Sequence, residues 1–163
     1  MTSRPSQLRK QSVDPIRSDI MRAVRRAHTG PEIKVRQMLH ALGLRFRLHL
    51  KDLAGTPDIV LPKYRTVIFV NGCFWHRHKA CAKATTPKTR MEFWNKKFHD
   101  NIARDRRNER ALRTAGWAVL KIWECQTAKP ESIRKILSAR FGSRLLSLGM
   151  RVAVRGTHEL HRD

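Results

Sequence analysis

The sequence lacks the long apolar runs and paired cysteines that are typical of membrane-spanning and secreted proteins. No apolar stretch approaches the roughly 18 residues of a membrane span, and residues 1–10 lack the apolar core of a signal peptide. The chain has three cysteines, and an odd number argues against a disulfide framework. We therefore expect a soluble, cytoplasmic protein whose cysteines are either buried thiols or metal ligands.

Acidic residues are also scarce. Lys and Arg number 35 against 13 Asp and Glu, which gives a formal charge of +22. A balance this basic favours a polyanionic partner, and nucleic acid is the first candidate. A ribosomal or other RNA-binding protein would share this charge, and a membrane surface would also attract it. The charge alone says nothing about catalysis.

The length of 163 residues suits one compact domain with terminal tails. Residues 1–15 are polar, basic and aperiodic, which predicts a flexible arm. Residues 147–163 lose their periodicity in the same way and predict a C-terminal tail. The sequence therefore predicts a single domain over residues 16–146.

Two helices are predicted before the first strand. Ser18 is placed to cap a short basic helix that ends near Ala27. The run Thr29-Gly30-Pro31-Glu32 is a capping box with proline in the first turn, so a second helix should begin there and end before Gly43. Glu32 then lies at the positive end of the helix dipole. It is either a helix cap and nothing more or part of an active site.

From Leu44 onward the apolar residues recur at every second position. Residues 44–51 alternate between apolar and basic, which predicts a strand with one wet face. After the break at Gly55-Thr56-Pro57, the apolar runs 59–61 and 66–70 predict a hairpin that leads into a central strand. Asp58 stands at the start of this apolar region, where a carboxylate is costly to bury unless it is paired. It is either a turn cap or a functional group.

The second half of the chain predicts a long helix, a strand and a last helix. Thr89-Arg90-Met91-Glu92 has the pattern of a second capping box and should open the long helix. One stripe of that helix carries Trp94, Phe98, Asn101, Ile102 and Asp105. Gly116 should end it, residues 117–123 form an apolar strand, and Pro130 opens the last helix. This order predicts an α/β fold with a mixed sheet flanked by helices.

The cysteines and histidines of the middle region suggest a metal site. Cys73, His78 and Cys81 have the spacing C-x4-H-x2-C, and Cys125 ends a strand that can run beside the one before Cys73. Three thiolates and an imidazole would form a closed structural zinc site. The spacing does not choose His78 over His76, and three buried thiols remain the alternative. A zinc deaminase is excluded because its H-x-E and P-C-x-x-C elements are absent from the sequence.

Several motifs resemble, in order and spacing, those of the Vsr very-short-patch-repair endonucleases. They are the runs 55–60 (GTPDIV), 67–76 (VIFVNGCFWH), 92–94 (EFW), 104–107 (RDRR) and 123–125 (WEC). The resemblance extends from about Arg17 to about Phe141. That family is a variant of the restriction-endonuclease-like PD-(D/E)xK nucleases, so the resemblance implies a fold of that class. Its enzymes nick double-stranded DNA 5′ of the T in T:G mismatches that arise from deamination of 5-methylcytosine.

The resemblance also implies catalytic roles for individual residues. Asp58 and the backbone carbonyl of Val70 would bind catalytic Mg²⁺, and a hard cation does need oxygen ligands. His76 would be the general base that activates water, and Asp105 would orient it. Glu32 is similar to a glutamate at a helix start that supports the waters around the ion.

The family's structural zinc ligands correspond to Cys73, His78, Cys81 and Cys125. The chain departs from the general PD-(D/E)xK pattern, because strand 66–70 and Asn71 supply neither the expected acid nor the expected lysine. The resemblance therefore rests on the Vsr variant, in which a His base replaces them. Asn71 stands where some members carry a histidine that contacts the reacting phosphate. An asparagine can hydrogen-bond to that phosphate but cannot shuttle a proton.

Phe74, Trp75 and Trp94 resemble the aromatic residues that wedge into the base stack beside the mismatch. Inserting rings between base pairs costs a few kcal/mol of unstacking per step, and a mispaired site lowers that cost. The alternative is that these side chains are three ordinary core aromatics.

Three hypotheses follow. The first is a monomeric, Mg²⁺-dependent, strand-specific mismatch nicking endonuclease of a bacterial nucleoid, with mismatch-repair proteins of the MutL type as expected partners. The second is a non-catalytic, zinc-stapled DNA-binding module in which Asp58, His76 and Asp105 are structural. The third, a basic RNA-associated protein, explains the charge but not the arrangement of Asp58, His76 and the zinc ligands.

Overall fold

A computed structural model describes residues 27–146, without the side chains of residues 143–146. The N-terminal arm, the C-terminal tail and the helix predicted over residues 18–27, apart from its last residue, lie outside this range. Three α-helices and four strands follow in the order α1 (Gly30–Ala41), β1 (Arg47–Leu48), β2 (Ile59–Leu61), β3 (Thr66–Asn71), α2 (Met91–Thr114), β4 (Ala118–Trp123) and α3 (Pro130–Leu146). Short 3₁₀ helices span Pro62–Tyr64 and Glu124–Ala128.

Helix α1 begins at the predicted capping box. The Thr29 hydroxyl accepts the backbone N–H of Glu32, and the Glu32 carboxylate accepts the backbone N–H of Thr29. Val35 and Leu39 are fully buried on one face of the helix. Gly43 follows the last turn with a φ of 67°, a left-handed conformation that glycine adopts without steric cost. The predicted helix is confirmed.

The four strands form one mixed sheet in the order β1-β2-β3-β4. Strands β1, β2 and β3 are antiparallel neighbours, and the predicted hairpin of β2 and β3 turns through Pro62–Tyr64. Strand β4 runs parallel to β3, from the pair Thr66 and Ala118 to the pair Asn71 and Trp123. Both strands therefore end at the same edge of the sheet.

Helices cover both faces of this sheet. Helices α1 and α3 pack on one face, where Leu39 and Leu137 join Ile68 of β3 in the larger core cluster. Helix α2 covers the other face, where Leu112 packs with Val60 and Val67. The predicted α/β architecture is confirmed for the described residues. None of the described helices is both long and apolar enough to cross a membrane.

Two local predictions need correction. The strand predicted over residues 44–51 is present but limited to Arg47–Leu48, and at its C-terminal end the left-handed conformation of His49, with φ 47°, stops the pairing. The capping box predicted at Thr89 does not form. Arg90 precedes the helix instead, with φ 53° and without a side-chain hydrogen bond to the first turn. This left-handed turn separates Thr89 from α2, and the Arg90 guanidinium stacks on Phe93 at 4.6 Å.

Thr29→Ala should lower the free energy of unfolding, because it removes the side-chain cap of α1. The expected loss is about 0.5–2 kcal/mol, or about 2–4 °C in melting temperature for each kcal/mol in a chain of this size. Thr29→Ser keeps the hydroxyl and should melt close to the wild type in differential scanning calorimetry. A Thr29→Ala protein that melts with the wild type would show that the capping box contributes no stability.

Candidate metal centre and active site

The three cysteines and His78 converge at the ends of β3 and β4. The three sulfur atoms and a ring nitrogen of His78 all lie within 4.8 Å of one another. His78 Nδ1 is 3.3 Å from Sγ of Cys125 and 3.7 Å from Sγ of Cys73. The strand register explains this meeting, because Cys73 and Cys125 each stand two residues beyond the last pair of β3 and β4.

The loop after β3 folds back on itself and separates the two histidines. The His76 N–H donates to the carbonyl of Gly72, and the His78 N–H donates to the carbonyl of Cys73. Arg77, between the two histidines, has a left-handed φ of 55°. As a result His78 faces the cysteines while His76 faces helix α2.

The cysteine cluster has the chemistry of a structural zinc site. Three sulfurs and one imidazole nitrogen match the closed, four-coordinate ligand sets of structural zinc. Cys73 is fully buried, and burial raises the pKa of its thiol, so a thiolate there requires a cation in contact. The indole of Trp123 stacks on His78 with ring centroids 4.2 Å apart, which holds the imidazole plane. The cluster is therefore suited to hold a metal ion.

His76 pairs with Asp105 of helix α2. The distance from His76 Nδ1 to Asp105 Oδ2 is 2.5 Å, and each side chain is 23% exposed. Burial raises the pKa of Asp105, but the hydrogen bond and charge of His76, together with Arg104, outweigh it and lower the net pKa. The carboxylate is therefore ionised near neutral pH. With Nδ1 held by Asp105, Nε2 is the nitrogen available to accept a proton.

These two residues line an open cleft of about 400 Å³. Asn71, at the end of β3, is 7% exposed and lines the same cleft. Cations from the loop, from α2 and from β4 complete the lining, namely Arg77, Lys79, Arg106 and Lys121. A cleft with this excess of positive side chains suits a phosphate group.

Asp58 lies beside Val70 of β3. Its Oδ2 accepts the backbone N–H of Val70 at 2.7 Å, while Oδ1 accepts no hydrogen bond from the residues that the structure describes. Burial raises the pKa of Asp58 despite the Val70 bond, and the charge of Glu32 raises it further. A half-buried carboxylate with an unused oxygen is a suitable ligand for a divalent cation.

Glu32 is 3% exposed, and its hydrogen bonds come from residues at the start of α1 and from Arg36. The ring of His49 lies 4.0 Å from its carboxylate. Arg36 donates to Glu32 at 2.7 Å and contacts ring nitrogens of His28 at 2.9 Å and of His49 at 3.2 Å. The predicted cap is therefore present, and Glu32 also lies close enough to Asp58 to change its pKa. Sequence reasoning missed Arg36, although its spacing of four from Glu32 is the signal of a helical ion pair.

The predicted site residues thus form two groups that meet at the end of β3. Val70 contacts Asp58, and the next residue, Asn71, lines the cleft with His76 and Asp105. Asn101 of α2 donates to the carbonyl of Trp75 at 3.3 Å, which ties α2 to the loop that carries His76.

Phe74, Trp75 and Trp94 belong to one aromatic cluster with Phe98. The ring centroid of Phe74 lies 5.1 Å from Trp75, 5.6 Å from Trp94 and 5.2 Å from Phe98. Phe98 is 5% exposed, whereas the other three are half-buried. The ammonium of Lys97 lies 5.5 Å from the ring centroid of Trp75 and 6.0 Å from that of Trp94. The cluster is therefore partly open to the surface beside a cation.

Comparison with known proteins identifies the family. Residues 12–83 match the family model for the DNA mismatch endonuclease Vsr. The chain is 51% identical over 107 residues to the type II nicking enzyme V.XorIIP of Xanthomonas oryzae, an alignment that covers 66% of this chain and 78% of that protein. It is 40% identical over 122 residues to the type II nicking enzyme V.NmeAIP of Neisseria meningitidis, an alignment that covers 75% of this chain and 86% of that protein.

The chain is also 45% identical over 109 residues to the DNA mismatch endonuclease Vsr of Escherichia coli, an alignment that covers 67% of this chain and 69% of that protein. The Escherichia coli protein carries the same name as the family model. The chain belongs to the Vsr family of DNA mismatch endonucleases.

Proposed function

We propose that this protein nicks double-stranded DNA 5′ of the T in T:G mismatches left by deamination of 5-methylcytosine, and so initiates very short patch repair. Membership of a mismatch endonuclease family supports a nuclease that acts on DNA. The observation that carries the proposal is the hydrogen-bonded pair of His76 and Asp105 in a basic cleft at the end of β3. Asp58 bonds to the same strand end.

Asp58 and the backbone carbonyl of Val70 would hold Mg²⁺, and Glu32 would bind waters around it. When bound, Mg²⁺ supplies a Lewis acid that stabilises the charge developing on the reacting phosphate. The unused Oδ1 of Asp58 and the proximity of Glu32 support this assignment.

In the proposed reaction His76 accepts a proton from the attacking water through Nε2. Asp105 holds the imidazole through Nδ1 and stabilises the imidazolium that results. Asn71 donates a hydrogen bond to a phosphate oxygen. A His–Asp pair that shares a cleft with Asn71 supports these roles.

The zinc ion proposed at Cys73, His78, Cys81 and Cys125 is structural. Four protein ligands leave no coordination position for a substrate. The ion would instead fix the loop that carries His76 and the two aromatic residues before it. The cluster of cysteines and His78 at the end of a mixed sheet, with Asp58 at the base of the hairpin, supports a restriction-endonuclease-like domain over residues 16–146.

Phe74, Trp75 and Trp94 are proposed to wedge into the base stack beside the mismatch. Their half-buried rings, gathered into one cluster with Lys97 at its surface, support this role better than a closed core would. We further propose that the protein works as a monomer and cooperates with mismatch-repair proteins of the MutL type.

A nicking assay tests the proposal directly. The protein is incubated with Mg²⁺ and end-labelled duplexes that differ only in one T:G or T:A pair, placed in several methylation-site contexts. A single nick 5′ of the mismatched T, with the T:A duplexes intact, is the expected result. Tight DNA binding without a nick in any context would instead assign the protein to the class of non-catalytic DNA-binding modules.

Asp58→Asn should abolish nicking and stabilise the fold. Loss of a Mg²⁺ ligand should lower the nicking rate by on the order of 10³-fold or more. Burial raises the pKa of Asp58 above its ordinary value of 3.8, so the ionised carboxylate destabilises the folded state. This loss of stability grows as the pH rises from 3.8 and is complete above the raised pKa. Asparagine removes that cost. In EDTA at pH 7 the variant should melt above the wild type, and the difference should shrink as the pH falls toward 3.8. A lower melting temperature at pH 7 would contradict this.

Replacement of each loop histidine in turn should have different effects on zinc content and on nicking. His78→Ala removes a zinc ligand and should lower both the zinc content, measured by mass spectrometry, and the melting temperature. His76→Ala is the matched control from the same loop. It should keep its zinc but lose about 10²–10⁴-fold in nicking rate, the usual range for a general base. Its melting temperature should also fall, because Asp105 loses its bond to His76, so zinc content is the readout that separates the two variants. A His78→Ala chain with wild-type zinc content and melting temperature would refute the ligand assignment.

Trp94→Ala should weaken mismatch preference more than total DNA affinity. An aromatic ring stacked on a base contributes about 1–3 kcal/mol, so the ratio of dissociation constants for T:A and T:G duplexes should fall by about 5- to 150-fold. Trp94→Phe keeps a ring and should keep most of the preference. Equal losses of affinity for both duplexes would rule out the wedge.

A further inference from the structure

Lys121 is a cation in an otherwise apolar strand. Trp117 and Val119 stand on the same side of β4 and pack in the cluster beneath α2. Lys121 continues that row, and its side chain is 34% exposed. An ammonium group that gives up part of its hydration costs free energy unless a partner compensates. An apolar residue would extend the core here at no such cost, so the lysine calls for an explanation.

The partner of Lys121 is Glu109 of helix α2. Their Nζ and Oε2 atoms lie 2.5 Å apart, and Glu109 also accepts a hydrogen bond from Arg113 at 2.9 Å. The bond from Lys121 is the main reason that the pKa of Glu109 is lowered, so the carboxylate is ionised at neutral pH. An ammonium group has three donors, and among the described residues only Glu109 accepts from this one. Glu109 therefore orients the ammonium and leaves donors unused.

Lys121 also lines the candidate active site, in the same cleft as His76, Asp105 and Asn71. The register gives the reason, since Trp123 pairs with Asn71, and Lys121 shares the side of β4 on which Trp123 lies.

Other cations of the cleft are placed differently. Arg77 bonds to the carbonyl of Thr85 and the hydroxyl of Thr86 and stacks on Phe98, so its guanidinium is already engaged. Lys79 and Arg106 are exposed. Among the cations that line the cleft, Lys121 is the one on a strand. The paired backbone of β4 and the bond to Glu109 hold its position.

We propose that Lys121 binds a non-bridging oxygen of the scissile phosphodiester and that Glu109 is its positioning residue. The inference rests on the proposed nicking activity. A phosphate gains negative charge on its oxygens as water attacks, so a cation fixed at this place stabilises the transition state more than the bound substrate. Lys121 would then act on the rate of nicking rather than on DNA affinity.

Two variants separate this role from a structural one. Lys121→Gln and Glu109→Gln remove the same ion pair, but only the first removes the cation. The rate is measured in single turnover with saturating enzyme, Mg²⁺ and a T:G duplex, and the dissociation constant of the same duplex is measured in EDTA. Lys121→Gln should lower the rate by about 10- to 100-fold, somewhat less than the loss of an oxyanion-hole donor. Its dissociation constant should change by less than about 3-fold, since one phosphate contact among many is lost.

Glu109→Gln should lower the rate by about 3- to 10-fold, less than Lys121→Gln does, because the ammonium remains on the sheet but loses the carboxylate that orients it. Lys121→Arg, which restores a cation, should recover part of the loss. Melting temperature and zinc content check the fold of each variant. If Lys121→Gln is destabilised because Glu109 keeps only its bond to Arg113, the double variant Lys121→Gln/Glu109→Gln replaces it with the same expected loss in rate.

A Lys121→Gln protein that nicks at the wild-type rate would overturn the inference while leaving the proposed function intact. Equal losses in Lys121→Gln and Glu109→Gln would also overturn it, and would assign the pair to the attachment of α2 to β4. A wild-type protein that nicks no T:G duplex would refute the proposed function, and this inference with it.

Discussion

The parallel pairing of β3 with β4 determines where the candidate site residues lie. Both strands end at the pair Asn71 and Trp123, so the chain leaves the sheet twice at one edge, and Cys73 meets Cys125 there. The loop that follows β3 brings His76 to Asp105 of α2. Asp58 is held at the same edge by its bond to Val70. A shift in the β3–β4 register would separate the cysteines and misplace His76 together.

Three carboxylates that are removed from water in the described part of the chain have partners, and these partners shape the site. Glu32 is almost fully buried and is held by the start of α1 and by Arg36. Asp105 is paired with His76, and Glu109 with Lys121. A partly buried charge without a partner would cost several kcal/mol. Asp58 is the exception, because burial raises its pKa and one oxygen remains unused among the described contacts. That residual cost is what a bound divalent cation would relieve.

Local signals were sufficient where one stretch of chain determines its own structure. The capping box at Thr29 and the apolar spacing through Leu39 predict α1. The stripe from Phe98 to Asp105 predicts that this carboxylate points inward, and it does meet His76. Sequence signals failed where a contact between distant parts of the chain determines the local structure. His49 ends β1 within a network that includes Arg36 of α1. The place of Lys121 in the cleft follows from the β3–β4 register, which hydrophobic alternation does not specify.

The proposed chemistry requires two metal sites with separate roles, a closed zinc site at the cysteines and a magnesium site at Asp58. Desalting into metal-free buffer, followed by metal analysis and by nicking of a T:G duplex with Mg²⁺ added back, tests this most directly. The desalted protein should keep one zinc per chain, nick nothing, and regain nicking 5′ of the T when Mg²⁺ alone is added. Nicking without added Mg²⁺, or nicking that is restored by zinc but not by Mg²⁺, would contradict the assignment of the two sites.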